Sequence, residues 1–344
     1  MKPLPIEDLE FILSHTRTLW EEVRGQRIFL SGATGFFGAW LLESLAHCNR
    51  RLNLNLTATV LTREPETFAR RMPHLAIDSA IHLHSGDIRR FDFPDPNYPF
   101  VIHAATPTSA SPQPLELMST ILDGTAHMLE FARTRGAQKF LFISSGAVYG
   151  AQPQDISHIP ETYSDGPEWL NPNAVYAESK RRAEQMCAIH AADSQISFAI
   201  ARCFAFVGPH LPLDQHFAIG NFIADAMAGR GIRISGDGTP VRSYLYAADL
   251  AIWLWTLLFR GASQPANLNV FNVGSAQALS VRELAQIVVE EVNPSLKIEI
   301  AREPTLGAPR QQYVPDVGKA ETCLGLRQNI DLRDAIRRTA AWYR

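Results

Sequence analysis

The sequence predicts an α/β fold, in which a doubly wound parallel sheet precedes a smaller C-terminal α/β region. Three observations support this prediction. Short apolar runs alternate with helical segments through residue 208, which is typical of βαβ units. Those runs are nearly continuous in apolar residues, as strands buried on both faces of a parallel sheet require. A glycine-rich turn over residues 31–40 joins the first run to the next helical segment.

The elements of the first part follow from residue pattern in chain order. Residues 6–24 alternate acidic and apolar residues at helical spacing, which predicts an amphipathic helix ahead of the sheet. Apolar runs predict the strands, and apolar residues on more than one face predict buried helices between them. The predicted strands are 26–32, 56–63, 80–87, 98–106, 138–145 and 194–208, and the predicted helices are 36–48, 114–135 and 173–192.

The strand–helix alternation stops beyond residue 208. Residues 211–229 predict a loop and then a helix, and residues 232–246 predict a strand with a glycine-rich turn. The run LAIWLWTLLF over 250–259 is too short to span a bilayer and predicts a buried helix. A last clear helix is predicted over 280–292. A chain of 344 residues accommodates about two domains, and we place their boundary near residue 208.

Composition excludes several classes of protein. Hydrophobic residues make up 46% and charged residues 19%, which argues against a disordered chain. Lys and Arg number 32 against 35 Asp and Glu, so the net charge of -3 gives no reason to expect nucleic-acid binding. The four cysteines are far apart and predict reduced thiols in a cytoplasmic protein. Acids interrupt the apolar N-terminus, which argues against a signal peptide. No uninterrupted apolar stretch approaches about 18 residues, so we predict no membrane partner.

The turn between the first strand and its helix carries the clearest binding signal. Gly32, Gly35 and Gly38 follow the spacing G-x-x-G-x-x-G. Glycines let the backbone turn tightly and approach a pyrophosphate, whose charge is stabilised at the helix N-terminus. The alternative is a strand–helix turn that binds nothing. Because a strand precedes the motif and a helix follows it, we predict a dinucleotide site.

The type of dinucleotide depends on the end of the second strand. An acidic residue there would bind the ribose 2′-hydroxyl of NAD. Thr62 and Arg63 occupy that place, and an arginine suits the 2′-phosphate of NADP. A solvated loop arginine is the alternative. Asp87, after the third strand, is either an adenine contact or an ordinary acid at a strand end. The predicted cofactor is therefore NADP or NAD.

An ordered set of polar residues indicates catalysis. Ser145 ends the fifth strand, and Tyr176 and Lys180 lie four residues apart, on one face of the following helix. Tyrosine has a pKa near 10 and is a weak base at neutral pH. Lys180 and an oxidised nicotinamide would both favour the phenolate, so that Tyr176 can carry a proton to or from a substrate oxygen. Ser145 would hydrogen-bond that oxygen.

Taken together, these segments resemble the extended short-chain dehydrogenases/reductases, in particular the NAD-dependent epimerase/dehydratase group acting on nucleotide sugars. The resemblance covers about residues 26–335. It implies an NAD(P)-binding Rossmann domain over 26–208 and a substrate-binding domain over 209–344, of which about 240–275 packs back on the Rossmann domain. The amphipathic pattern ahead of it adds a helical extension over 1–25. The matching segments are 32–38, 103–106, 144–150, 176–180, 202–209, 236–250 and 309–316.

The resemblance also implies site residues. The implied cofactor contacts are Gly32, Thr34, Gly35, Phe36, Phe37, Gly38, Thr62, Arg63, Asp87, Ile88, Ala104, Ala105, Thr106, Tyr176, Lys180 and Cys203. The implied substrate contacts are Ser145, Gly146, Ala147, Asn221, Arg242 and Arg310. Arg242 would hold the substrate pyrophosphate and Arg310 would reach the nucleotide, because guanidinium groups pair well with phosphate oxygens. His103 is predicted to be structural. A homodimer through the 114–135 and 173–192 helices is implied as well.

Departures from the family pattern select among reactions. Sugar 4,6-dehydratases of this family carry an acid pair where Gly146 and Ala147 stand here, and nucleotide-sugar decarboxylases carry a glutamate at the position of Ala147. Neither glycine nor alanine can carry a proton. The sequence therefore favours a 4-epimerase or a 4-keto reductase. A dehydratase with displaced acids and a non-catalytic NAD(P)-sensing protein are the alternatives. Ala205 replaces a family asparagine that contacts substrate, which weakens that expected contact.

Overall fold

The computed structural model describes residues 1–106, 113–215, 217–261, 268–305, 307 and 309–344. The chain divides into two compact units. The first comprises Met1–Val148, Pro167–Arg202 and Ala251–Phe271, and the second comprises Tyr149–Gly166, Cys203–Leu250 and Asn272–Arg344. The domain boundary near residue 208 stays a prediction, because compactness does not show that either part folds independently.

Strands and helices alternate along the first half of the chain. The strands are β1 (Arg27–Ser31), β2 (Thr57–Thr62), β3 (Ile81–Ser85), β4 (Phe100–His103), β5 (Lys139–Ser145), β6 (Ser197–Cys203), β7 (Phe206–Val207), β8 (Ile232–Ile234), β9 (Val241–Arg242), β10 (Leu245–Tyr246), β11 (Leu268–Val273), β12 (Leu279–Ser280), β13 (Ile298–Ile300) and β14 (Gln312–Tyr313). The helices are α1 (Ile6–Trp20), α2 (Phe36–Leu52), α3 (Pro65–Arg71), α4 (Pro73–Ala76), α5 (Pro114–Thr134), α6 (Val175–Asp193), α7 (Ala218–Met227), α8 (Ala247–Arg260), α9 (Val281–Val292), α10 (Gly318–Leu324) and α11 (Leu332–Tyr343).

The main sheet confirms the predicted fold class. Its seven strands, counted within the described residues, follow the order β11-β6-β5-β4-β1-β2-β3. The pairs β1–β2, β2–β3, β1–β4 and β4–β5 are parallel. Because β1 has β2 on one side and β4 on the other, the strand order reverses beside it. In open α/β sheets such a reversal creates a crevice at the carboxyl ends of the strands, where ligands bind.

Buried aromatic rings fill the core of the first unit. Phe29 of β1 packs on Phe131 of α5, with ring centroids 4.2 Å apart. The predicted N-terminal helix is present as α1, but the chain tightens into a 3-10 turn over Glu21–Val23, so the α-helix ends earlier than predicted. Trp20 at that end packs on Trp255 of α8, with ring centroids 4.8 Å apart. The buried helix predicted over 250–259 is thereby confirmed as part of α8.

Short strand pairings organise the second unit. They are β10–β7, β12–β9–β14 and β13–β8. The helices α7, α9 and α11 pack against one another beside them. Among the helices described, none combines the length and apolar character that crossing a bilayer requires.

Asn272 is a fully buried hub of the second unit. Its Oδ1 accepts a hydrogen bond from the Tyr149 hydroxyl at 2.7 Å. Its Nδ2 donates to the carbonyl oxygens of Ile159 and Asp316, both at 2.9 Å. Its backbone N–H donates to Glu161 Oε1 at 2.8 Å. Asn272 is therefore bonded to three residues of the stretch Tyr149–Gly166 and to Asp316.

We expect Asn272→Asp to destabilise the protein by about 3 kcal/mol. The change removes two donated hydrogen bonds and buries a carboxylate against two carbonyl oxygens. Asn293→Asp is the control, because Asn293 Oδ1 accepts from Ser295 at a surface turn, as an aspartate also would. Urea unfolding of the full chain measures both variants. Equal midpoints for the two variants would contradict the role of Asn272.

Candidate active site

The three glycines of the turn between β1 and α2 differ in how closely the rest of the protein packs on them. Gly32 has a φ of +76°, and a Cβ there would lie 2.4 Å from the backbone carbon of Ala104. A Cβ on Gly38 would lie 2.2 Å from Cα of Ala33. The fold itself therefore requires both glycines. A Cβ on Gly35 would meet nothing closer than 3.9 Å, so the protein's own packing leaves that position open.

The first turn of α2 follows this open glycine directly. Gly35 is the N-cap of α2, and no side chain in the described part of the chain caps that helix end. Phe36 and Phe37 form the first turn, with ring centroids 5.8 Å apart. Helix N-termini present N–H groups and a positive dipole end to anions. The turn, which also includes Thr34, thus fits the pyrophosphate of a dinucleotide.

The ends of β2 and β3 carry the residues that predict the cofactor type. Thr62 is buried at the end of β2, and its Oγ1 accepts from the Glu64 N–H at 3.3 Å. Arg63 is exposed and forms no hydrogen bond or ion pair with the described residues. Asp87 is engaged with Arg89, whose Nε and Nη2 donate to it at 2.8 and 2.7 Å. Those hydrogen bonds lower the pKa of Asp87 to about 2.

Several predicted cofactor contacts lie beside the turn or in the core. Ala104 follows β4, and its N–H donates to the Ser31 carbonyl at 3.2 Å. Ala105 and Thr106 come next and are half-buried. Ile88 is 7% exposed and belongs to the core cluster of the first unit.

His103 is buried and hydrogen-bonded through both ring nitrogens, which fits the structural role predicted for it. Its Nδ1 is hydrogen-bonded to Ser31 Oγ at 2.9 Å and its Nε2 to Thr125 Oγ1 at 3.1 Å. Burial lowers the pKa of His103 to about 3, so the ring is neutral near pH 7. Through these two hydrogen bonds the neutral His103 ring, at the end of β4, links β4 to β1 and to α5.

The first unit contains all three predicted catalytic residues. Ser145 is the last residue of β5, and its Oγ accepts from the Ala147 N–H at 3.1 Å. Lys180 is 2% exposed, and its Nζ donates to the Ile143 carbonyl at 2.8 Å. Tyr176 lies one turn earlier on α6 and packs partly against the core. The helix carrying Tyr176 is thus bonded to the strand carrying Ser145, two residues before that serine.

The two residues after Ser145 cannot carry a proton. Gly146 and Ala147 begin a 3-10 turn that ends at Tyr149. Neither has an ionisable side chain, so the positions where the resemblance places acids are chemically inert here. Among the described residues, no group of three or more His, Cys, Asp or Glu side chains could hold a metal ion.

The second unit contains the other predicted contacts. Cys203 is buried, and its carbonyl accepts from the Tyr313 hydroxyl at 3.4 Å. Asn221 is exposed on α7. Arg242 ends β9, and its Nη1 donates to the Val241 carbonyl at 2.8 Å. The roles of Cys203 as a cofactor contact and of Asn221 and Arg242 as substrate contacts stay predictions.

Pairing of β14 with β9 brings the two predicted arginines into neighbouring segments. Gln312 lies opposite Val241, and the Val241 N–H donates to the Gln311 carbonyl at 2.8 Å. The backbone of Arg310 is clamped by Gln154, which accepts from its N–H at 2.9 Å and donates to its carbonyl at 2.6 Å. Arg310 also lines a cavity of about 300 Å³, together with Arg282 at the start of α9.

Sequence reasoning missed two kinds of residue near these sites. Gln154 fixes the backbone of Arg310 across a separation of 156 residues, and no local pattern marks it. Glu184 is hydrogen-bonded to Ser144, the neighbour of Ser145, at 2.5 Å. Glu184 did carry a signal, because the Tyr176–Lys180 spacing of four residues repeats from Lys180 to Glu184.

The fold and the turn are typical of α/β proteins that bind dinucleotides. The sequence pattern of the NAD dependent epimerase/dehydratase family matches residues 28–274. The chain therefore belongs to that family, which confirms the predicted family and makes the protein an NAD(P)-dependent enzyme. When bound, such a dinucleotide supplies a hydride acceptor or donor.

Individual relatives share modest identity over most of the chain. UDP-glucuronic acid decarboxylase 3 of Arabidopsis thaliana is 29% identical over 321 residues, covering 90% of this chain and 86% of its own. UDP-glucuronic acid decarboxylase 1 of Xenopus tropicalis is 26% identical, covering 93% and 72%. Among solved structures, the UDP-glucose 4-epimerase of Thermotoga maritima is 20% identical, covers 92% of this chain and 98% of its own, and has a TM-score of 0.73. This structural likeness confirms the fold.

Proposed function

We propose that this protein transfers a hydride at C4 of a nucleotide sugar, as a 4-epimerase or a 4-keto reductase. One observation carries the proposal. Ser145 and Lys180 are both anchored at the end of β5, with Tyr176 on the same helix as Lys180, while Gly146 and Ala147 provide no second proton carrier. The names of the relatives support a UDP-sugar substrate.

The proposed chemistry needs one proton and one hydride. Tyr176 Oη takes the proton from the sugar 4-hydroxyl as C4 is oxidised, and Ser145 Oγ hydrogen-bonds that oxygen. The C4 hydride would be accepted by a bound oxidised dinucleotide. Lys180, buried and bonded to Ile143, stabilises the phenolate form of Tyr176 by its positive charge. In an epimerase the 4-keto sugar rotates in the pocket so that C4 takes the hydride back on its opposite face, and Tyr176 then returns the proton. In a reductase Tyr176 donates it once.

The decarboxylases among the relatives do not make decarboxylation the better proposal. The resemblance places a glutamate of that chemistry at Ala147, and a methyl group cannot replace it. The same reasoning disfavours a 4,6-dehydratase. The intact Ser145, Tyr176 and Lys180 set disfavours a protein that only senses NAD(P).

Product analysis tests the proposal directly. The purified protein is incubated with UDP-glucose, UDP-galactose and a UDP-4-keto sugar, with NAD, NADH or NADPH. Interconversion without net cofactor change identifies an epimerase, and stoichiometric oxidation of the reduced cofactor identifies a reductase. A 4-keto-6-deoxy product or release of CO2 would contradict the proposal, as would no turnover of any nucleotide sugar. Mass spectrometry of co-purifying nucleotides adds a second readout, because retained oxidised cofactor favours an epimerase.

We expect Arg63 to set the preference for NADP over NAD. Its guanidinium is exposed and forms no ion pair with the described residues, so it is available for a 2′-phosphate. Arg63→Ala should weaken NADPH binding by about 10-fold or more, which is the loss of one charge-assisted contact, and leave NADH binding unchanged. Arg17→Ala, an exposed arginine of α1, is the charge-matched control. Fluorescence titration that finds equal loss for NADPH and NADH would overturn this assignment.

A further inference from the structure

A buried ion pair adjoins the helix and the strand that carry the three proposed catalytic residues. Glu184 is on α6, one turn after Lys180 and two turns after Tyr176. Arg202 of β6 donates to it from Nε at 3.1 Å to both oxygens and from Nη2 at 2.6 Å. The two side chains are 9% and 15% exposed, so the pair is largely removed from water.

Glu184 also holds the strand that carries Ser145. Ser144 Oγ donates to Glu184 Oε1 at 2.5 Å, and one turn earlier Lys180 Nζ donates to the Ile143 carbonyl at 2.8 Å. Two successive turns of α6 therefore bind two successive residues of β5. The next residue along β5 is Ser145, so these bonds fix the register between Ser145 and the helix that carries Tyr176.

We propose that Glu184 and Arg202 form a positioning pair for the Ser145, Tyr176 and Lys180 site, setting both the β5–α6 register and the local charge. This inference rests on the proposed function, in which Tyr176 exchanges a proton with the substrate. Glu184 and Arg202 touch no reacting atom in this scheme, and they act through Ser144 and Lys180.

A buried ion pair is seldom kept for stability alone, because apolar residues of similar volume often stabilise a core equally well. Its charge is what apolar residues cannot supply. Within the hydrogen-bonded cluster of α6, β5 and β6, the formal charges are the cations of Lys180 and Arg202 and the anion of Glu184. The Glu184 carboxylate offsets one of these two cations, so the cluster carries a net charge of one positive unit. That net charge sets how strongly the cluster favours the phenolate of Tyr176. Elsewhere on α6, Glu178 and Arg181 form an ion pair of their own at 4.0 Å, and Arg182 is exposed and donates to Gln185.

Two further titratable groups, His103 and Cys187, are neutral near pH 7. Burial lowers the pKa of His103, on β4, to about 3. Burial raises the pKa of Cys187, on the next turn of α6, beyond the neutral range. Ser144 of β5 is a neutral hydroxyl that donates to Glu184. Changes at Glu184 or Arg202 therefore alter the net charge behind Tyr176 without compensation from these neighbours.

Opposite charge changes test the pair. Glu184→Gln keeps an acceptor for Ser144 but removes the anion, so the phenolate of Tyr176 gains stability. The limb of the pH–activity profile that reports the Tyr176 proton should move to lower pH by about half a unit or more, for a charge removed two helical turns away. Arg202→Met leaves Glu184 uncompensated and should move the same limb to higher pH. Arg202→Lys keeps the charge and should restore the wild-type position.

A direct titration separates this inference from the proposed function. The phenolate absorbance of the cofactor-loaded protein is titrated with pH, and the same titration of Tyr176→Phe is subtracted to isolate Tyr176. Opposite shifts in Glu184→Gln and Arg202→Met support the pair even if no nucleotide sugar turns over, which would overturn the function alone. Shifts of the same sign, or loss of thermal stability with no shift, would overturn the positioning role while leaving the proposed reaction intact.

Discussion

Tyr176→Phe is expected to lower kcat for nucleotide-sugar turnover by about 10²–10⁴-fold, the usual contribution of a positioned proton carrier. The variant lacks the hydroxyl that exchanges the proton with the 4-hydroxyl of the substrate. Its ring keeps the partly buried packing of Tyr176 against the core of the first unit, so folding is preserved. Cofactor affinity should change little, because the glycine turn is untouched.

Steady-state kinetics and a fluorescence titration of the cofactor measure the two properties separately. Tyr163→Phe is the matched control, because the Tyr163 hydroxyl donates to the neighbouring Asp165 at 3.1 Å and to no proposed catalytic group. The control should keep full activity. Full activity in Tyr176→Phe would remove Tyr176 from the mechanism, and comparable losses in both variants would point to a general effect on folding.

Substitution of Gly32 is expected to have the largest effect on stability and on cofactor binding together. A Cβ at this position would lie 2.4 Å from the Ala104 backbone carbon, and the φ of +76° is unfavourable for a residue with a Cβ. Gly32→Ala therefore forces β1 and the segment after β4 apart. We expect a loss of about 2–4 kcal/mol in the free energy of unfolding, with cofactor binding lost as the turn opens.

Gly35→Ala separates the two consequences within the same turn. A Cβ at Gly35 meets nothing closer than 3.9 Å, and its φ of -92° is open to any residue. We expect the apo protein to keep its stability and to lose cofactor affinity, because the new methyl group occupies the space a pyrophosphate approaches. Thermal unfolding without cofactor and dinucleotide titration check both. Equal destabilisation of the two variants would refute the distinction, as would unchanged binding in Gly35→Ala.

The sequence predicted the first half of the fold well because its signals are local. Strands β1 to β5 lie inside predicted runs, and α2 begins at Phe36 as predicted. In the second unit the strands β9, β10, β12 and β14 are two residues long. Two residues carry no periodicity, so hydrophobic pattern cannot predict such strands. Their pairing depends on segments far apart in the chain.

The sequence alone determined the class of the protein and the residues worth testing. Gly32, Gly35 and Gly38 follow a strand and begin a helix, and Tyr176 and Lys180 share a helix face, because these relations need only nearby residues. The tertiary structure alone decided which polar groups are paired. Asp87 is committed to Arg89, Glu184 joins Ser144 to Arg202, and Asn272 reaches Tyr149 over 123 residues. The physical reason is that a buried polar group must find a partner wherever packing places one, and local sequence does not specify that place.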